Sequence, residues 1–296
     1  MVIVRKRKIG NEEFFYLEHT LRVDGKVEKK ERYLGKAIPE NIESSKQEFF
    51  QELFSEKWHA PLDKIQKNFS GEYGKIPATA KQKYLESFLI KFTYNTNRIE
   101  GSTLTLRDTA HLLKEGISPK NKPIKDIKEA ESHKKLFYTL LEYKKDLNLN
   151  IILYWHKVLL QDIDEEIAGK IRDHQVAIAG TTIQLPYPVE LTVLLEEFFK
   201  WYNRAKNKLH PVELAALVHL KFVSIHPFTD GNGRMSRILM NFVLNKNKFP
   251  MLDISYQNRA AYYRALERSQ KTRKEYIFVQ YLIKRYFKEY KKYTTP

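Results

Sequence analysis

His226-Pro227-Phe228-Thr229-Asp230-Gly231-Asn232-Gly233-Arg234-Met235-Ser236-Arg237 lies between two stretches of helical apolar spacing, Leu214, Leu217, Val218 and Phe222 before it and Ile238, Leu239, Phe242 and Val243 after it. Pro227 forbids the first helix from continuing, so His226 falls at a helix end with its ring free to face a cleft. Gly231 and Gly233 admit positive φ on either side of Asn232, and successive N–H groups in such a turn converge into an anion nest. The nest opens into a helix N-terminus, whose unpaired N–H groups and dipole favour a phosphate. Arg234 and Arg237, three residues apart, share the first turn of that helix. Cations there oppose the dipole, a cost that is explained if they clamp further phosphates. Asp230 supplies the hard oxygen that a polyphosphate-bound Mg²⁺ requires. Together these residues describe a site for nucleotide phosphates with a proton acceptor beside it.

Reading outward, the 3.6-residue period predicts helices over about 79–97, 106–115, 124–145, 150–163, 189–204, 211–225, 234–246, 258–270 and 274–292. Residues 1–40 instead alternate in the manner of strands, with Asp24-Gly25 as the tight-turn pair of a hairpin and residues 2–8 as a third strand. A helix with Phe49, Phe50, Leu53, Phe54 and Trp58 on one face follows, and a linker over Asn68–Pro77 completes a segment 41–78. The remainder, 79–292, reads as one helical domain. Its one interruption is Gln175–Leu185, two short β-prone runs around Gly180 that predict an isolated hairpin on a helical body. The expected class is therefore mainly α, with a small N-terminal β appendage.

Composition excludes several classes. The 296 residues are 42% apolar and 30% charged, enough apolar material for a sizeable core, which rules out disorder. The absence of cysteine excludes disulfides, thiol nucleophiles and cysteine-bound metals, and fits a reducing, cytoplasmic interior. Arg5-Lys6-Arg7-Lys8 follows the apolar start too closely for a signal sequence, and no run approaches the ~18 apolar residues of a membrane span. The net charge of +16 is concentrated at the ends, with +4 in residues 1–36 and +6 in residues 271–296. Nucleic acid is thus a rival partner, although Tyr276, Ile277, Val279, Leu282, Ile283 and Tyr286 favour a last amphipathic helix with a solvated lysine face. His219 reads as a core residue, and His111, His133 and His156 have no ligand-spaced partner.

The stretch from His226 to Arg237 fits every position of HxFx(D/E)GNGRxxR, and the sequence therefore resembles the Fic (Fido) family over roughly residues 80–290. The resemblance implies a Fic-type helical core with residues 175–185 as its β-hairpin flap, preceded by Gly169-Lys170-Ile171-Arg172. It implies a nucleotidyltransferase, a protein adenylyltransferase that moves AMP from Mg²⁺-ATP to a Ser, Thr or Tyr hydroxyl of a target protein. Carried over, His226 is the general base and Asp230 the Mg²⁺ ligand. Gly231, Asn232 and Gly233 stabilise the α-phosphate, Arg234 and Arg237 grip the β- and γ-phosphates, and Tyr263 flanks the base. Gln270 replaces the usual Asn on the adenosine side, while Tyr262 and Leu266 read as core. Upstream, Thr96-Asn97-Arg98-Ile99-Glu100-Gly101 fits the family's inhibitory motif (S/T)xxxE(G/N), which implies that Glu100 pairs with Arg237 and holds the enzyme off in cis. Relatives also form homodimers that bury this helix. Removal of AMP by the same site is the rival within the enzyme class, and Pro186-Tyr187-Pro188 reads equally as an edge for a target segment or a stiff connector.

Overall fold

A computed structural model of the chain describes residues 2–23, 26–178 and 180–294. Three antiparallel strands, β1 (Ile3–Ile9), β2 (Glu12–Val23) and β3 (Lys26–Gly35), form a sheet in the order β1-β2-β3, with a bulge between Phe15 and Tyr16. The Asp24-Gly25 turn lies outside the described residues. Helices α1 (Ile42–Lys75), α2 (Ala78–Ile99), α3 (Leu106–Ala110) and α4 (Ile124–Glu142) follow, a π-helical turn at His111–Glu115 extending α3. The rest is α5 (Leu149–Leu160), α6 (Leu191–Ala205), α7 (Pro211–Ile225), α8 (Asn232–Lys246), α9 (Arg259–Thr272) and α10 (Tyr276–Glu289). The chain divides into two compact units, one ending at Ile65 and the other beginning at Gln66.

In the first unit, Leu17 is wholly buried and His19 meets Phe50 edge to face, while Phe49, Leu53, Trp58, Leu62 and Ile65 bury the inner stripe of α1. In the second unit, α7 and α8 pack together at the centre and carry the densest apolar run, from Val212 to Val223 and from Met235 to Leu244. Trp155 of α5, Phe242 of α8 and Tyr143 after α4 share one aromatic cluster, with ring centroids 5.4 to 5.9 Å apart. Among the described residues, no helix is long and apolar enough to cross a membrane.

Three expectations need correction. Asn68–Lys75 is not a linker but the end of α1, and only Ile76-Pro77 breaks the helix. Phe69 stacks on Tyr73 one turn away and packs on Tyr84 and Tyr293, so tertiary packing outweighs the poor helix propensity of Gly71 and Gly74. The excursion at 175–185 is present between α5 and α6, with Gly180 at φ 79°, but no strand pairing is formed among its described residues. An isolated two-stranded ribbon gains too little from its own ladder to be regular without a third strand. Finally, α8 begins at Asn232, two residues before the apolar periodicity becomes visible.

Phe242 is 1% exposed at the centre of the aromatic cluster. Its replacement by Ala is expected to cost about 3–5 kcal/mol in urea unfolding, and a loss below about 1 kcal/mol contradicts the packing described.

Candidate functional site

His226, Asp230, Asn232 and the start of α8 are placed by the turn between α7 and α8. His226 caps α7 in the left-handed conformation, φ 53° and ψ 56°, while its N–H still reaches Phe222 O at 3.1 Å. Such a backbone costs a non-glycine residue about 1–2 kcal/mol. His226 Nδ1 lies 3.2 Å from Val223 O. A carbonyl only accepts, so Nδ1 carries the proton and Nε2 keeps its lone pair. Burial lowers the imidazole's pKa and Arg172 lowers it further, against the opposing pull of the Val223 carbonyl, Glu100 and Asp230. The ring is therefore a neutral acceptor at Nε2.

The turn closes on itself through Asn232, whose Oδ1 accepts from Phe228 N at 3.0 Å and whose Nδ2 donates to Phe228 O at 2.7 Å. Its side-chain amide, expected at a phosphate, is thus spent inside the loop, and only its backbone N–H faces the helix mouth. Phe228 stacks flat on His156 of α5, centroids 3.6 Å apart and planes 7° apart. Gly169 N donates to His156 Nδ1 at 2.9 Å, leaving Nε2–H to donate to Asp230 O at 3.0 Å. Burial pushes His156 down to about 4, so this support is neutral at physiological pH.

Gly231 has φ 79°, and a Cβ there also meets the His156 ring. Gly233 does not take the positive φ expected of it, being helical within α8. A Cβ at 233 would run into the carboxylate of Glu100, which would have to shift, and would lie 3.3 Å from Arg237 Nη1. Glu100 thus brings its charge over the N-terminus of α8, where an anion is favoured.

Asp230 accepts Gly231 N–H at Oδ1 (2.5 Å) and Arg234 Nη2 at Oδ2 (3.1 Å). Burial raises its pKa, but Arg234 and the Gly231 N–H outweigh it and the net direction is downward. Its side chain is half exposed, and no group of three or more potential metal ligands occurs among the described residues. A lone ionised carboxylate of this kind fits Mg²⁺, which keeps most of its shell for water and phosphate oxygens. Arg234 is 1% exposed and lies 3.1 Å from Glu129 of α4 as well as from Asp230, so it is compensated by two carboxylates rather than extended towards a cleft.

Arg237, also 1% exposed, collects the end of α2. Its Nη2 donates to Glu100 Oε1 at 2.6 Å and to Thr96 O at 3.2 Å, its Nε to Thr96 Oγ1, and its Nη1 to Tyr262 OH at 3.4 Å. Burial disfavours the guanidinium's charge, but Glu100 and Tyr262 reverse the sign and raise its pKa. Gly101, φ 105°, then turns the chain away from α2. The helix is anchored by Asn95, which donates to Asp253 at 2.5 Å and accepts from Tyr256 N at 2.9 Å.

Tyr263 donates to Ile99 O at 3.2 Å, which attaches α9 to α2. Gln270 instead donates to Ser224 Oγ at 3.0 Å and lines a groove of about 1000 Å³ whose walls include Ile183, Leu185, Phe198 and Trp201. The two residues expected together on the adenosine side therefore have different surroundings. His156, Glu129 and Arg172 carry the loop without having been assigned a role from sequence. For Glu129 the signal was Asp126, Glu129 and His133 extending the inner stripe of Leu136, Phe137 and Leu140.

Residues 146–244 match the model of the Fic/DOC family. A Drosophila melanogaster protein named protein adenylyltransferase Fic is 34% identical over 198 residues, which are 66% of this chain and 39% of the fly protein. The Drosophila grimshawi protein of the same name is 37% identical over 178 residues, 59% of this chain and 36% of its own. The chain thus spans well under half the length of these curated relatives. Among solved structures, Fic-1 from C. elegans superposes with a TM-score of 0.71 at 27% identity, covering 86% of this chain and 77% of that one. A Fic domain containing signaling protein from Bacteroides thetaiotaomicron VPI-5482 gives 0.68 at 26% identity, covering 78% and 95%.

Two measurements check the geometry. Gly233→Ala is expected to destabilise the wild type by about 1–3 kcal/mol through overpacking on Glu100, and to cost less than about 0.5 kcal/mol in a Glu100→Ala background. Equal costs in both backgrounds contradict the contact. In nitrogen-15 NMR, the His156 ring is expected to stay neutral, with Nδ1 unprotonated, from pH 8 down to pH 5.5, as its pKa of about 4 requires. Titration near 6.5 contradicts its buried, doubly bonded placement.

Proposed function

We propose that this chain, which carries a Fic/DOC-family domain, transfers AMP from Mg²⁺-ATP to a hydroxyl of a target protein and is held off by its own Glu100. The observation that carries this reading is the convergence of a neutral imidazole, a helix N-terminus and a carboxylate-blocked arginine within one turn. His226 Nε2 takes the proton of the target hydroxyl as its oxygen attacks the α-phosphorus; the bond from that phosphorus to the bridging oxygen breaks, and pyrophosphate leaves. First-turn N–H groups of α8, from Asn232 onward, have no intrahelical acceptor and receive the charge that develops on the α-phosphate. Asp230 would hold a Mg²⁺, which would supply positive charge to the nucleotide's phosphates when bound. Arg234 orients Asp230 and adds positive charge from behind the loop, and Arg237 donates to the γ-phosphate oxygens once Glu100 leaves it.

The inhibited state is supported by the 2.6 Å contact of Glu100 with Arg237. With that arginine engaged by Glu100, Thr96 and Tyr262, a triphosphate lacks its distal grip and its α-phosphate is misaligned. A second reading rests on the same carboxylate: placed against Gly233, Glu100 is positioned to orient a water for removal of AMP from a modified target. The nucleic-acid reading has less support. In the N-terminal sheet, Arg5 and Lys29 pair with Glu18, and Arg7 pairs with Glu31.

Label from α-³²P-ATP should move onto protein in Glu100→Gly far faster than in wild type. Glu100→Gln should activate as well, because it removes the charge and keeps the helix propensity. Adding His226→Ala to Glu100→Gly should cost 10²- to 10⁴-fold with ATP affinity unchanged, and a loss under about threefold refutes the base assignment. Loss of label from a modified protein, with no gain on any, supports the second reading.

A further inference from the structure

Arg172 lies at the foot of the excursion between α5 and α6 and is 3% exposed. Its Nε donates to His226 O at 2.9 Å, Nη1 to His174 O at 2.9 Å and to Gln175 Oε1 at 3.4 Å, and Nη2 to Pro186 O at 2.7 Å. Its own backbone N–H donates to Pro227 O at 3.0 Å. All of these acceptors are uncharged, and no carboxylate among the described residues pairs with it. A buried guanidinium without a counter-ion is disfavoured, and here burial lowers its pKa. Its retention at such a position calls for a role that a neutral side chain does not fill.

The geometry supplies one. Nε, Nη1 and Nη2 each take the carbonyl of a different segment: the turn bearing His226, the entry of the excursion at His174, and its exit at Pro186. A planar fork reaches three such acceptors in fixed directions, whereas an ammonium on a flexible stem does not. The Nε contact also falls on the carbonyl of the residue held in the left-handed conformation, so it opposes relaxation of that backbone. Resting on the reading of His226 as the base, we propose that Arg172 is a positioning residue that clamps both ends of the excursion to the His226 turn and so fixes the base relative to that excursion. Its charge has a second effect on the same ring. Arg172 opposes protonation of His226, while Glu100 from α2, Asp230 from the α7–α8 turn and the Val223 carbonyl favour it.

The test uses Arg172→Lys and Arg172→Gln in the full-length Glu100→Gly protein. Both are expected to lower the kcat of AMP transfer about ten- to hundredfold, with the Kd for ATP by calorimetry within twofold of the parent, because the clamp acts on the base and not on the donor. Lysine keeps the charge and loses the fork, so it should fail to rescue kcat while leaving the nitrogen-15 titration of His226 in the ligand-free protein near that of the parent. Glutamine should shift that titration to higher pH. Transfer within twofold of the parent in the lysine variant, or ATP affinity falling in step with kcat in both, overturns the proposal. If Glu100→Gly itself moves no AMP, the transferase reading has failed separately. The clamp is then judged on the His226 titration and on thermal unfolding, and an unchanged titration together with an unchanged Tm in Arg172→Gln overturns it. Should the glutamine variant not fold, the lysine variant is judged on thermal unfolding and, where Glu100→Gly is active, on kcat: an unchanged Tm, or a kcat within twofold of the parent, overturns the proposal.

Discussion

The ion pair between Arg237 and Glu100 is the interaction on which the arrangement of the site depends. Arg237 is buried in the first turns of α8, while the Glu100 carboxylate remains about one third exposed. The arginine is thus the desolvated member of the pair, and the glutamate is the one that water reaches. Withdrawing a partner from a buried charge is costly unless another anion takes its place. A phosphate is such an anion, and the mouth of a helix is where one is favoured. On the proposed reading, the carboxylate is the member of the pair that a phosphate would replace. Thr96 O and Tyr262 OH also accept from the guanidinium, at 3.2 and 3.4 Å.

Around this pair, the α7–α8 turn is fixed by two neutral side chains and one guanidinium. Asn232 closes the loop onto Phe228, His156 supports the Asp230 carbonyl from beneath, and Arg172 holds the carbonyls of the opposite wall. Charge is then concentrated on a few side chains: Asp230, Arg234 and Glu129 form one compensated set, Glu100 and Arg237 another. Because the backbone of the turn has its hydrogen bonds satisfied from behind, its helix-mouth N–H groups are left pointing outward, the condition for electrostatic preorganisation.

How much of this was legible in the sequence depends on whether a residue acts where it stands or through a neighbour. The helices of the second unit were visible as apolar periodicity, and the site loop as a short contiguous motif. Thr96 and Glu100 were linked only by the family motif (S/T)xxxE(G/N). What escaped was contact made at long range. Nothing local distinguishes His156 from any other buried histidine, and its role appears only when Gly169 and Asp230 arrive on its two nitrogens. The resemblance carries Asn232 to the α-phosphate; in the structure its side-chain amide bonds to Phe228 within the turn. Gly233 was read as a conformational glycine and is instead a steric one, a difference fixed by Glu100 more than a hundred residues earlier. Residues 68–75 were read as a linker because glycines suggest one, whereas Phe69 and Tyr73 bind that stretch into a helix by aromatic packing.

The central claim is that Glu100 and the γ-phosphate compete for Arg237. Calorimetric titration of ATP and of ADP into wild type and Glu100→Gln tests it directly, because ADP lacks the competing group. A charge-assisted hydrogen bond is worth about 1.5–3 kcal/mol, so removing the glutamate's charge should raise ATP affinity about tenfold or more and leave ADP affinity nearly unchanged. Equal changes for the two nucleotides, or none for either, contradict the account.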